Sequence, residues 1–243
     1  MKKILLTGLV LSVGLFSVSA QENHIKQWRV KSAYELIFSW GDADDPKSSV
    51  NGSKVDADNV VRFSAFYNGS TQFHYDFSKN AGFFTGIGIR NIGFIHHFGD
   101  SVTVKQREYE LGVPLAIKFG NTDNNFYLAA GAEVHMMFAY KQKVEYNNQK
   151  NKYNKWFSDD AELFNYSVFA EVDMPGGVFV RFRYYLNDFL KENNKGISLP
   201  NSGGTLAYDS SPSELMYVAI GTCQYLDFNF DKKEKKPNPM DNQ

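Results

Sequence analysis

Between residues 61 and 77 the chain alternates. Val61, Phe63, Ala65, Tyr67, Thr71, Phe73, Tyr75 and Phe77 share one parity; Arg62, Ser64, Asn68, Ser70, Gln72, His74 and Asp76 share the other. Side chains two apart lie on one face of a β-strand, so this predicts a strand with one apolar and one polar face. Asn68-Gly69 is also a hairpin-turn signal, but the phase passes through it unchanged, which favours one strand. The same period recurs over residues 34–40, 83–90, 108–119, 126–138, 164–173 and 178–185. A last run, 215–230, has an ambiguous phase and has room for a bulge. Eight strands are predicted.

The connections between these runs alternate in length. Short turns fall near 78–81, 120–124 and 175–177, and longer polar segments cover 42–59, 141–159 and 191–213, with 98–102 the short exception. Turns at one rim and loops at the other describe an up-and-down barrel with both termini on the turn side. Folding each short turn as a hairpin pairs Phe77 with Phe83, Phe119 with Phe126, and Met174 with Val178, all on apolar faces. Phe77, Phe83, Phe119 and Phe126 are therefore expected to form an aromatic girdle at one membrane interface.

Alternation suits a lipid-facing barrel or a water-soluble, lipocalin-like one. Three features favour lipid. Several runs exceed ten residues, near the 9–11 of a membrane strand and beyond the 5–6 of an average soluble one. The apolar parity of the clear runs holds no Lys, Arg, Asp or Glu in its central part. The polar parity carries Gly86, Gly88, Gly112, Ala116, Ala129 and Gly131, small residues that make room inside a narrow barrel and that only weaken a solvent-facing strand.

Composition narrows the classes. The formal net charge is −1 over 243 residues, without the basic excess of a nucleic-acid binder. With 21 Phe and 14 Tyr the chain is rich in strand-forming aromatics. Its single Cys, Cys223, forms no internal disulfide. Lys2 and Lys3, the apolar stretch 4–18 and the small residues Val18-Ser19-Ala20 describe a secretory signal cleaved after Ala20. The expected organisation is a signal peptide (1–20), a periplasmic segment (21–32), a barrel (33–230) and a disordered periplasmic tail (231–243).

The stretch Tyr109-Glu-Leu-Gly-Val-Pro114-Leu-Ala-Ile-Lys118-Phe119 resembles the Tyr-x-x-Ile-Pro-Leu-x-Leu-Lys-Tyr/Phe strand of the outer-membrane protein β-barrel domain family. That family includes the PorT-like proteins and is related in shape to OmpA and OmpX. Phe83-Phe-Thr-Gly86-Ile-Gly88-Ile-Arg90 is similar to the preceding strand. Gly112 stands where the family usually has Glu. The resemblance implies an eight-stranded integral barrel of a Gram-negative outer membrane; it does not imply a catalytic residue. Pro114 supplies no ladder hydrogen bond, so a bulge or a missing bond is expected there.

The inward parity brings together Arg90, Glu110, Lys118, Glu133, His135, Glu171, Arg181 and Arg183, with Glu171 expected opposite Arg181 and Glu110 opposite His135. Near-balance of sign predicts a mutually neutralising ion-pair network that fills the lumen. A narrow charged pore is the alternative. His96 and His97, with Asp100 close by, are the candidates for a rim hydrolase or metal site; the plainer expectation is two exposed histidines at a strand end. Asp42, Asp44, Asp45, Asp56 and Asp58 acidify the first long loop without the spacing of a calcium loop. No cofactor, metal or catalytic residue is expected. The expected partners are outer-membrane lipid and lipopolysaccharide, with a protein or polysaccharide at the long loops and its aromatics Tyr146, Tyr153, Trp156, Phe157 and Tyr208. A structural or interaction role follows.

Overall fold

A computed structural model describes residues 27–43, 47–48, 57–98, 102–147, 149–191, 197–199, 205–207 and 213–227. The signal and tail expectations, Asp44, Asp45, Asp56, Asp100 and Tyr208 lie outside the described residues.

Eight antiparallel strands close into a ring. They are β1 (Gln27–Ala43), β2 (Gly69–Ser78), β3 (Ala81–Phe98), β4 (Val102–Asn121), β5 (Phe126–Tyr146), β6 (Phe164–Met174), β7 (Val178–Tyr185) and β8 (Ser213–Asp227). Each pairs with its chain neighbour and β8 pairs back onto β1, so the ring has no free edge along the barrel. The fold is an all-β, eight-stranded up-and-down barrel.

Several boundaries and registers differ from expectation. β1 begins at Gln27, so part of the segment expected to lie outside the barrel is a paired strand. Arg29 and Lys31 continue the inward parity of Glu35 and are buried. The run 61–77 is interrupted: Arg62–Ser64 and Gly69–Ser78 both pair with β1, but two β1 residues there face four from the other chain segment. Because the insertion is even, the phase survives it. Asn68 fills the gap, its Nδ2 donating to Ser64 O (3.0 Å) and its Oδ1 accepting from Asn91 N–H (2.9 Å).

Of the three hairpin pairs, Met174–Val178 forms as expected. Phe83 instead faces Tyr75, because a tight turn pairs Ser78 with Ala81 and Phe77 then bulges out of the ladder, each moving the register by one, and Phe119 faces Leu128 because that turn lies at 122–125. Both shifts are by two residues, which preserves the face. β8 carries no bulge and keeps one phase. The bulge sits in β5 at Phe138, where Tyr109 faces Ala139 and Glu110 faces Met137. Glu110 is therefore not opposite His135, whose cross-strand partner is Gly112. At Pro114 the expected missing bond appears: pairing between β3 and β4 lapses at Gly86 and Ile87 and resumes at Gly88 in the same register. Thr85 Oγ1 donates to the Pro114 carbonyl at 2.7 Å beside the gap.

The segment 141–159 is not an irregular loop. β5 runs on to Tyr146 and turns into Gln149–Trp156, a hairpin that stands clear of the ring. Lys47–Ser48, Ile197–Ser198 and Thr205–Ala207 form a small second sheet from the two other long connections.

Candidate functional site: the barrel interior and its outer face

Period two sends alternate side chains to the lumen, and in the turn-side half those are ionic. An alternating chain of charges crosses the interior. Asp173 meets Lys31 (2.5 Å), Lys31 meets Glu171 (3.0 Å), and Glu171 accepts from Arg181 Nε (2.6 Å). Arg181 donates on to Glu35, Glu35 lies 3.5 Å from Arg90, Arg90 pairs with Glu133, and Glu133 accepts from Arg183 (2.5 Å). Four cations alternate with four carboxylates, all buried. Removing charges from water costs several kcal/mol each, and alternation with short hydrogen bonds is the arrangement that offsets it.

Of the residues expected here, Arg90, Glu133, Glu171, Arg181 and Arg183 belong to this chain. Glu110 and His135 extend it: Glu110 Oε1 accepts from Tyr185 OH (2.6 Å) and lies 3.0 Å from His135 Nδ1. The two meet on a diagonal although the register separates them. Lys118 belongs to a second group nearer the turns, where Asp76 binds both Lys118 (2.6 Å) and Arg29 (2.5 Å), and Lys118 Nζ lies 3.1 Å from His74 Nδ1. Small residues leave the space these side chains occupy. A Cβ on Gly221 would stand 2.1 Å from the Phe179 ring, over which Lys31 Nζ sits at 4.6 Å.

The loop-side half of the lumen corrects the expectation of a charge-filled interior. Ile37, Ile92, Phe94, Met137, Tyr140, Val144, Leu215 and Tyr217 are buried there in one apolar cluster. Phe189 and Leu190, from the connection after β7, pack into the same cluster, with the Phe189 and Phe94 rings 4.9 Å apart. Glu108 is buried at the boundary, with Oε2 accepting from Asn165 Nδ2 at 3.2 Å.

The outer surface changes in the opposite sense. On the turn side it is apolar: Leu115 is 65% exposed, Leu128 61%, and Val113, Ile117, Ile87, Phe182 and Ile220 are also exposed. Phe77, Phe119 and Phe126 are exposed at its lower end, where Phe83 packs on Tyr75 at 5.6 Å and Tyr75 on Trp28 at 4.7 Å. At its upper end Tyr67, Tyr109, Phe138 and Trp156 form a row with successive ring centroids 5.7, 6.3 and 5.9 Å apart. Above that row the outward positions of β4 and β5 become Lys105, Arg107, Lys141 and Lys143, while Val104 and Val144 turn inward. Each of these two strands is thus apolar-out below Tyr109 and polar-out above it.

His96 and His97 do not converge. As neighbours on β3 they face opposite sides: His96 is buried in the lumen, stacked on Phe94, so the expectation that both are exposed fails for it. His97 Nδ1 lies 2.8 Å from Thr103 Oγ1. Among the described residues no group of three or more His, Cys, Asp or Glu is placed to hold a metal ion.

No protein-family model matches the chain, and no curated protein matches it in sequence. Among solved structures, the chain is similar to Ail, the attachment invasion locus protein of Yersinia pestis, in complex with the heparin analogue sucrose octasulfate. That pair shares 10% identity and a TM-score of 0.34 over 83% of this chain and 100% of that one. It is similar to the outer membrane protein OprG from Pseudomonas aeruginosa at 12% identity and TM-score 0.38, over 83% and 96% of the two chains. Neisserial surface protein A is 9% identical, with TM-score 0.33, over 84% of this chain and 100% of its own. These likenesses are distant, and the barrel rests on its own ring of strand pairings.

Proposed function

We propose that the protein is an integral outer-membrane barrel with a sealed interior, serving a structural or interaction role at the cell surface rather than catalysis. One observation carries this reading: the inversion of polarity along β4 and β5 at Tyr109. A soluble barrel keeps its apolar side chains inside along its whole height. Here Leu111, Val113, Leu115, Ile117 and Phe119 face out while Glu110 and Lys118 face in. That order is stable where the surroundings are hydrocarbon, and the reverse order above Tyr109 is stable in water. At about 3.3 Å per residue and a tilt of about 40°, the stretch from Tyr109 to Phe119 spans about 25 Å, the height of an apolar band between aromatic girdles.

Phe77, Phe83, Phe119 and Phe126 then line the periplasmic interface, and the long connections lie outside the cell. The likeness of the Tyr109–Phe119 strand to PorT-like barrels fits this placement. The exposed Tyr153 of the hairpin, on the face away from the aromatic row, and Phe157 just after the hairpin are the residues we assign to a protein or polysaccharide partner. A passive pore is disfavoured because ion pairs block one half of the lumen and Phe94, Tyr140, Phe189 and Leu215 block the other.

The test is fractionation followed by gel mobility in detergent before and after boiling. The protein is expected with outer membranes and with a faster-migrating unboiled form. Recovery in the soluble fraction with one mobility contradicts it.

A further inference from the structure

We propose that the outward face formed by upper β4, upper β5 and the hairpin Gln149–Trp156 binds the phosphates of a phosphorylated glycolipid in the outer leaflet. This rests on the membrane reading above and gives it a specific lipid contact. Register places Arg107 directly beside Lys141, Lys105 beside Lys143, and Lys143 beside Lys152. Like charges directly opposite on neighbouring strands destabilise a sheet, so three such pairs in one patch call for an anion from outside the chain. Lys150 adds a sixth cation, beside Glu145. Among the described residues Glu145 is the one carboxylate that pairs with them, at 3.2 Å from Lys143 and 3.0 Å from Lys150. Lys105, Arg107 and Lys152 have no carboxylate within 4.0 Å among those residues.

The position selects the anion's source. The cations stand immediately above the Tyr67–Tyr109–Phe138–Trp156 row, and Lys141 Nζ lies 4.8 Å from the Tyr109 ring centroid, bridging the two zones. Aromatic residues of this kind sit at headgroup level, and the cations face sideways, away from the lumen, because Val104, Gln106 and Val144 between them are buried. A lipid phosphate beside the barrel meets that face at the right height, with its acyl chains against the apolar band. Arg107 and the lysines supply several charge-assisted donors to it.

The experiment uses the full chain folded in detergent, with bisphosphorylated lipid A and its dephosphorylated counterpart as probes, read by native mass spectrometry. The wild type is expected to retain the phosphorylated form at least tenfold better. The triple variant Arg107→Gln, Lys141→Gln, Lys143→Gln is expected to lose that preference while keeping its heat-modifiable mobility, and Lys141→Arg, Lys143→Arg is expected to keep it. Equal retention of the two lipids by the wild type overturns the proposal, as does undiminished retention by the triple variant. So does a sulfated oligosaccharide that binds through these residues when the phosphorylated lipid does not. A wild-type chain with no heat-modifiable form overturns the membrane reading, and this proposal with it.

Discussion

Arg181 on β7 and Glu35 on β1 meet in the lumen across the intervening β8, the guanidinium Nη1 donating to the carboxylate Oε1 while Nε and Nη2 hold Glu171. One side chain thus joins two buried carboxylates, from strands far apart in sequence. Replacing Arg181 by Leu leaves both without that cation, and breaking a buried pair in this way costs about 3–5 kcal/mol. The expected result is a lower midpoint in urea unfolding from lipid vesicles and no conductance in planar bilayers, since the apolar upper half still closes the lumen. A large single-channel current in the variant contradicts the sealed interior.

Leu115 is at the middle of the apolar band, with its neighbours Val113 and Ile117 also facing out. Leu115→Arg is expected to destabilise the barrel by about 2–4 kcal/mol, the cost of a cation at the lipid midplane. Asn151→Arg, on the exposed hairpin opposite Val144, is expected to stay within about 0.5 kcal/mol of wild type. Equal effects of the two in vesicle unfolding contradict the placement of the band.

Asn68 supports the interruption before β2 by hydrogen bonds to Ser64 and to the Asn91 N–H. Asn68→Ala strands that buried amide, a loss of about 1–3 kcal/mol. Hydrogen exchange is expected to show faster exchange confined to residues around 62–69 and Asn91.

The strands and their faces were legible in the sequence because a period of two leaves few alternatives once one face is fully apolar. The turn-side ion chain was largely legible for the same reason. Lys31 lies ahead of the alternation that starts at Tyr34, although Arg29 and Lys31 share the parity of Glu35. The two-residue register shifts at Phe77 and Phe119 left no trace, since an even slip exchanges apolar for apolar. The apolar upper core escaped for a different reason. Where the surroundings change from hydrocarbon to water, the same alternation reverses its meaning, and the bulge at Phe138 shifts the phase of β5 near that boundary. The runs Ile92–Phe94 and Val102–Val104 were readable, but only with the interface already located.

Phe189 seals the loop-side mouth against Phe94. Phe189→Ala is expected to weaken that local packing by an amount typical of a buried phenylalanine, about 3–5 kcal/mol. Proteolysis of the 185–213 connection on intact cells is expected to accelerate, with the heat-modifiable mobility of the barrel unchanged. Protection equal to wild type shows that this connection does not depend on the Phe189 contact.

The assignment of the two environments is tested most directly by nitroxide labels in reconstituted vesicles, in a Cys223→Ser background, at Leu115→Cys and at Asn154→Cys. The label at 115 is expected to be relaxed by oxygen and shielded from a water-soluble nickel chelate, and the label at 154 to show the reverse. Ready access of the nickel chelate to position 115 would place the apolar band in water and contradict the membrane barrel.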